Sequence, residues 1–457
     1  MQPSASSDSL LTGRALARSE RFDEAEVHFA QVLAIEPAQP EALAFVLRRA
    51  MARADHASII AVAERAIAAG VQDPALFNAL GHAHLFCGNQ VAALSVLERS
   101  LGLDASQFQL RLKLGQLHET AGNQQQALFA YFRAVKDAQQ QGRWMNDATT
   151  EPALREPVRH AIDFIDEGRG RLFRAVLEPL RRLHGGEELE RIDRCLDAYL
   201  AGMPGPFDHP AQRTTFLHVP RLSAEGFYPR ELFPWMDELE ANAEAIREEA
   251  LAVLAGGMLL EPFLVDGGES TGQLRNDRAG KAVWDAFFFY RHGRRYEENH
   301  ARCPVTSALL ERLPLVRIHE QAPEILFSVL TPGSHILPHT GVTNARLVSH
   351  LALIVPPGCA IRVGDETREW HEGRGFVFDD THEHEAWNHG EETRVVLIVD
   401  IWNPLLTDVE REAFGTLVEA IGDFNHACGY PSDAETLEEY RRQKAAGNAR
   451  DGSQNSM

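Results

Sequence analysis

Three glycines set the first constraint. Gly13, Gly81 and Gly115 are separated by 68 and then 34 residues, and each is followed twelve residues later by an alanine: Ala25, Ala93 and Ala127. Sixteen residues after the glycines stand Phe29, Leu97 and Tyr131. The phrases SERFDEAEVHFAQVLAIEP, CGNQVAALSVLERSLGLD and AGNQQQALFAYFRAVKD fall on the same period. A period of 34 with small residues at fixed offsets predicts one structural unit stacked on itself, because a single copy cannot bury its apolar face alone. The copy between, over 40–73, fits poorly: Leu47 replaces the glycine and Ile59 the alanine. Three recognisable copies and one degenerate copy result.

Paired helices that pack closely where side chains are small characterise tetratricopeptide repeats, and residues 1–145 resemble such an array. A plain helical bundle with coincident alanines is the rival. Either specifies a scaffold rather than a chemistry. Residues 146–212 read as a helical extension and linker, the linker lying in GMPGPFDHPAQ (202–212), where Pro and Gly follow in quick succession. From 213 the texture changes. One amphipathic helix is expected over 234–255. Short β runs follow: EILFSVL, ARLVSHLALIV, AIRVG, GFVFDD and TRVVLIVDIW, separated by TPGS, PPGC, GDET, EGRG and NHGEE. Strands at this spacing predict a sandwich or barrel within 213–435. Residues 436–457 read as a solvated tail. The expected class is an α+β multidomain chain.

The 457 residues carry a net charge of −21. Such a chain lacks the basic field that phosphate binding needs, which excludes nucleic acid and an anionic membrane surface as main partners. The N-terminal MQPSASSDSLL shows no basic region or long apolar run, and LALIVPP (351–357) is far short of the roughly 20 residues that span a bilayer. Cys87, Cys195, Cys303, Cys359 and Cys428 are scattered, with no CxxC pair, which argues against a disulfide framework or a thiolate zinc site. A reducing cytoplasm is the expected location. Oligomeric state is not legible.

Seven of the twenty histidines fall between 335 and 389. In ARLVSHLALIV, alternation puts Arg346, Val348 and His350 on one face. A cation and an imidazole on an apolar strand need satisfying, and a buried anion would do so. Arg394 opens TRVVLIVDIW and offers a fork for a carboxylate. His339 (in PHTG) and His384 (in DDTHEHE) each stand at the end of a β run and could meet across a sandwich. Imidazole suits Fe(II), which keeps positions for a cosubstrate and O2. His335, His371, His382 and His389 are expected to be solvated loop histidines. Asp379 and Asp380 are expected to make turn hydrogen bonds or to orient a ligand histidine. Trp284 and the run AFFFY (286–290) read as core.

The stretches SVLTPGSHILPHTGVTNARLVSHLAL, CAIRVGDETREWHEG and FVFDDTHEHEAWNHGEETRVVLIVDIWNP together resemble the aspartyl/asparaginyl β-hydroxylase family. The clear match covers about 320–405, and a weaker one reaches back to about 213. The resemblance implies a double-stranded β-helix (jelly-roll, cupin-like) and an Fe(II)- and 2-oxoglutarate-dependent oxygenase. Animal members also place tetratricopeptide repeats before the hydroxylase domain. Carried over by position, the family implies His339 and His384 as iron ligands, with Ser328, His350 and Arg394 holding 2-oxoglutarate and Arg394 pairing its distal carboxylate. A second basic residue common in the family two positions before His350 is Val348 here, and Arg346 on the same face is the candidate to compensate. The usual carboxylate ligand is also missing, since the triplet is His339-Thr340-Gly341. Water, or a halide as in iron halogenases, would fill that gap.

The implied reaction couples conversion of 2-oxoglutarate and O2 to succinate and CO2 with hydroxylation of a substrate carbon. The implied target is the β-carbon of Asp or Asn in a peptide, protein or peptide-like substrate, captured by the repeats. Animal relatives act on small disulfide-rich modules of the secretory pathway, which this N-terminus does not suit, and related bacterial enzymes modify lipid or small molecules. The rivals are an iron halogenase or small-molecule hydroxylase, and a non-catalytic adaptor carrying an inert oxygenase fold.

Overall fold

The computed structural model describes residues 5–203, 207, 209–256, 260–264, 273–278, 281–431, 435–436, 438 and 442. The expected tail lies almost wholly, and the expected linker partly, outside the described residues. The chain divides into two compact units, Met1–Gly168 and Arg169–Met457.

The first unit is built of helical hairpins: α1 (Ala5–Arg18) with α2 (Phe22–Ile35), α3 (Pro40–Ala52) with α4 (His56–Ala68), α5 (Pro74–Phe86) with α6 (Gln90–Leu103), and α7 (Phe108–Thr120) with α8 (Gln124–Gln140). The repeat glycines are where the two helices of a hairpin touch. A Cβ on Gly81 would lie 2.3 Å from Leu97, and one on Gly115 would lie 2.4 Å from the Tyr131 ring. The poorly fitting second copy is a complete hairpin. Its sizes are exchanged: Leu47 stands at the glycine position, while Ala63, sixteen residues on, replaces the large residue, and both are buried in one cluster. A further mark of the period is in the backbone. Glu20, Ala54, Gly88 and Gly122, spaced by 34, all turn the chain with positive φ (61°, 53°, 77° and 80°). Only two of the four are glycine, so this signal is half hidden in the sequence.

Helix α9 (Arg155–His184) contains the division between the units, and α10 (Glu190–Leu200) follows it. The segment 146–212, read from sequence as one extension, is therefore shared between them. The single helix expected over 234–255 is two, α11 (Met236–Ala241) and α12 (Ala243–Ala255). Asn242 separates them: its side-chain amide donates to the Glu238 carbonyl at 2.8 Å, in the competition with the helix ladder that Asn often wins.

The strands of the second unit are β1 (Glu261–Pro262), β2 (Leu274–Asn276), β3 (Trp284–Arg291), β4 (Arg294–Arg295), β5 (Ile325–Leu330), β6 (Ser334–His339), β7 (Arg346–Ile354), β8 (Cys359–Val363), β9 (Glu366–Glu369), β10 (Gly375–Phe378), β11 (His384–Asn388) and β12 (Arg394–Trp402). Helices α13 (Glu297–Arg302) and α14 (Pro304–Leu310) interrupt them, and α15 (Asp408–Ala427) closes the domain behind a Thr407/Glu410 capping box. The strands form two antiparallel sheets. The major sheet runs β1-β3-β5-β12-β7-β10 with β4 on β3, and the minor sheet runs β2-β6-β11-β8-β9.

Strands β7 and β12 are apolar on both faces because both faces are covered. Leu347, Leu351, Leu397 and Val399 pack outward with Phe287, Phe289 and Phe327 against Met236, Ile246 and Leu310 of the helices. Burying each such side chain is worth about 1.5–3 kcal/mol. Val348, Ala352 and Val396 face inward and join Ile336, Ile361, Phe378 and Ala386 between the sheets. This is a jelly roll, with the AFFFY run in its core as expected. The polar side chains of the inner faces make the site.

Candidate active site

His339 ends β6 and His384 begins β11, and the two residues are direct partners in the antiparallel ladder. Their rings lie 4.1 Å apart between centroids. They therefore meet as neighbours within the minor sheet, not across the sandwich as sequence spacing suggested. Each Nδ1–H donates to a backbone carbonyl: His339 to Leu337 at 2.8 Å, and His384 to His382 at 3.0 Å. These bonds fix the tautomer that leaves both Nε2 lone pairs for a ligand. Burial holds the His384 imidazole down at about 3, helped by His339, so it is neutral at any ordinary pH.

Facing this pair, the inner face of the major sheet supplies Ser328 from β5, His350 from β7 and Arg394 from β12. Arg394 is buried and donates through Nη2 to Ser328 Oγ at 2.9 Å. Its Nε has no hydrogen-bond partner among the described residues, and no carboxylate there acts on it. Burial lowers it to about 10. Ser328 Oγ also accepts from the Trp284 indole at 3.0 Å, so both its lone pairs are engaged and its proton is left to donate. His350 is held well below its ordinary value by burial, then by Arg394 and His384, and its Nδ1 accepts from the Trp370 indole at 3.4 Å. Trp370 also lies 5.0 Å beneath the Arg394 guanidinium. Sequence reading put Trp284 in the core and did not weigh Trp370; both line the site. A tryptophan beside a β run was the only available signal.

Arg346 does not join that group. Its guanidinium donates to Asp400 at 2.7 Å and to Asp380, both buried. It therefore does not stand in for the basic residue absent at Val348, whose own side chain is buried among apolar ones. Asp380 in turn fills the place of the missing ligand side chain: a Cβ on Gly341 would lie 2.2 Å from its carboxylate. Burial pushes Asp380 up, against the pull of Arg346. Asp379 makes the expected turn bonds to Thr381 N (2.9 Å) and Oγ1 (2.7 Å).

Two of the four histidines expected in solvent are buried. His335 lies within β6, and His382 packs 5.5 Å from the His209 ring. His371 and His389 are exposed as expected. Outward from Arg346 and Asp400 opens a cleft of about 1010 Å³, lined also by Phe263, Arg291, Glu324 and Phe414.

The residues present fit the iron and 2-oxoglutarate that the resemblance implies. Two preset imidazole lone pairs suit a divalent cation. A buried arginine without an anion is unstable by itself and suits a carboxylate.

Fold and site define a jelly-roll protein with a two-histidine centre beside an anion-ready arginine. The family model described as aspartyl/asparaginyl beta-hydroxylase matches residues 240–404. The human protein named aspartyl/asparaginyl beta-hydroxylase is 33% identical over 276 residues, 58% of this chain and 33% of that one. The ornithine lipid ester-linked acyl 2-hydroxylase of Rhizobium tropici is 35% identical over 215 residues, 44% of this chain and 73% of that one. The chain belongs to the aspartyl/asparaginyl β-hydroxylase family. It spans about a third of the length of the human relative. Among solved structures, the crystal structure of MamA covers 35% of this chain and 84% of that one at 20% identity with a TM-score of 0.26.

Proposed function

We propose that the chain is an Fe(II)- and 2-oxoglutarate-dependent oxygenase that hydroxylates the β-carbon of Asp or Asn in a peptide, protein or peptide-like substrate. One observation carries this reading: two imidazoles with free Nε2 atoms face a buried arginine that has no carboxylate partner among the described residues. When bound, iron, 2-oxoglutarate and O2 supply the oxidising chemistry, with succinate and CO2 as co-products. The chain's own residues bind and orient. His339 and His384 present their Nε2 atoms, and their Nδ1–H bonds keep both rings aimed. Arg394 and the Ser328 hydroxyl grip the distal carboxylate, with Trp370 and Trp284 backing them. His350, neutral and buried, adds an uncharged polar contact while keeping water out.

The helical hairpins would capture the substrate polypeptide. The five cysteines, scattered and without a CxxC pair, suit a reducing compartment, and the cytoplasm is part of this proposal. No described helix is long and apolar enough to cross a membrane. Halogenation is disfavoured, since the space beside Gly341 holds a carboxylate that repels halide. An inert adaptor is disfavoured because an unpaired buried Arg394 destabilises a fold that has no use for it.

The test is succinate release by the purified chain with Fe(II), 2-oxoglutarate and ascorbate in air, with Asp/Asn peptides and, separately, an acylated aminolipid. Turnover raised by peptide and abolished by His339→Ala and by His384→Ala supports the proposal. Stimulation by the lipid alone moves the substrate to the other class. No turnover together with no anaerobic 2-oxoglutarate binding sinks it.

A further inference from the structure

Outside this site, three potential ligand atoms converge on the minor sheet. Asp277 follows β2, His335 lies in β6 and His389 follows β11, so three adjacent strands each present one. Asp277 Oδ2 stands 2.9 Å from His335 Nδ1 and 3.2 Å from His389 Nε2. The three ligand atoms lie within 4.8 Å of one another. A tetrahedral zinc with bonds of about 2.0–2.1 Å needs neighbouring ligand atoms roughly 3.3 Å apart. The two Asp277 separations need only a slight widening, and the two histidine nitrogens, within 4.8 Å, must close to that spacing.

The surroundings favour a cation. His335 Nε2 is 2.8 Å from Glu385 Oε2, and Glu385 is itself gripped by Arg362 Nε at 2.6 Å. An imidazole that donates one N–H to a carboxylate turns its other nitrogen into a lone pair of raised basicity, the arrangement that supports metal-bound histidines. Here the other ring nitrogen faces the Asp277 carboxylate at 2.9 Å. A carboxylate at each nitrogen of one imidazole draws positive charge to this point, carried by a metal ion or by a ring proton. Asp277 is ionised: partial burial raises it, but bonds from Arg275, His335 and His389 outweigh this and bring it to about 2. Arg275 occupies the outer side, with Nε 2.5 Å from Asp277 Oδ1 and Nη2 3.2 Å from His335 Nδ1. Its side chain is 56% exposed and free to swing outward, while His335 is buried and fixed.

We propose that Asp277, His335 and His389 bind a borderline divalent cation, Zn(II) by preference, as a staple across β2, β6 and β11. Imidazole and carboxylate donors suit that ion, and solvent at the exposed rim completes the tetrahedron. The site is separate from the His339/His384 pair but shares both of its strands. His335 precedes His339 by four residues in β6, and Glu385 adjoins His384 in β11. Occupancy therefore stiffens the ladder on which the candidate iron ligands stand.

The experiment is calorimetric titration of the full chain with ZnCl2 alone near neutral pH, in a His339→Ala/His384→Ala background and in the unaltered chain. The double variant is expected to retain one equivalent of Zn(II) and to gain thermal stability from it. Adding His389→Ala or, separately, Asp277→Asn should weaken that equivalent at least ~100-fold, more than the loss of an outer partner alone, and remove the thermal gain. His389 is exposed, so its replacement leaves folding intact, and the unaltered chain should go from two equivalents to one on the same change. Absence of zinc binding in the double variant, or equal affinity after both added changes, overturns the proposal and leaves a proton as the only charge between His335 and Asp277.

Discussion

The Asp380 carboxylate lies where a side chain on residue 341 would begin: a Cβ built on Gly341 would meet its Cγ, Oδ1 and Oδ2 at 2.2 Å. The carboxylate absent from the His-X-Asp/Glu pattern is thus replaced in space by one from 39 residues later in the chain, held by Arg346. Asp380 is buried and half-buried Arg346 pairs with it and with Asp400, so the exchange fixes a polar wall beside His339.

Gly341→Ala tests that relationship. The new methyl must displace a paired, buried carboxylate, and overpacking of this kind costs about 1–3 kcal/mol. The expected outcome is a Tm lowered in keeping with that cost and, because the shifted carboxylate adjoins His339, reduced succinate formation. An unchanged Tm and turnover would mean that Asp380 is not confined there.

Arg394→Met separates binding from folding. Removing one partner of a charged pair costs about 2–5 kcal/mol of binding, so 2-oxoglutarate affinity by calorimetry should fall roughly 30-fold or more. Stability without ligand should be unchanged or higher, because an unpaired buried charge is exchanged for an apolar side chain. Tm in the absence of 2-oxoglutarate reads this directly. A large drop would show that Arg394 already has a stabilising partner.

Glu324 gives a pH dependence. Burial raises its carboxyl to about 8, Asp400 adds to the rise, and the His292 N–H, Arg291 and Arg346 pull back, against an ordinary value of 4.5. A folded-state value above the unfolded one means the unfolded chain ionises first. The stabilising contribution is complete below about 4.5 and is lost as pH rises through about 8. Glu324→Gln can still accept the His292 N–H bond of 2.5 Å. Its Tm should match that of the unaltered chain near pH 4 and exceed it at alkaline pH. Parallel Tm–pH curves would refute the assignment.

The repeat contact can be inverted. Gly115→Leu alone should be strongly destabilising, since even a methyl there would lie 2.4 Å from Tyr131. Gly115→Leu with Tyr131→Ala copies the arrangement of Leu47 and Ala63. The double variant should recover on the order of 1–3 kcal/mol relative to Gly115→Leu in denaturant unfolding, within the range of coupling between residues in contact. No recovery would show that the second hairpin relies on something other than exchanged sizes.

The sequence by itself determined whatever rests on local pattern. The period of 34, the short apolar runs of β7 and β12, and the motifs around His339 and His384 specify helical hairpins, a double-sheet domain and the residues to inspect. These signals survive because helix and strand periodicities are short-range. The tertiary structure decided everything that depends on which strand lies beside which. Strands β6 and β11, short and interrupted by Pro338 and charged residues, carry little propensity, yet their pairing sets His339 beside His384. The exposure expected for His335 and His382 failed for the same reason, since burial is conferred by neighbours distant in the chain. Arg346 shares a strand face with His350, but its charge is claimed by Asp380 and Asp400, two carboxylates that no spacing rule connects to it. Helix 234–255 broke at Asn242 through a side-chain hydrogen bond that composition does not announce. The split at Asn242 aside, each difference traces to long-range electrostatics or packing, which act through space and leave no period in the sequence.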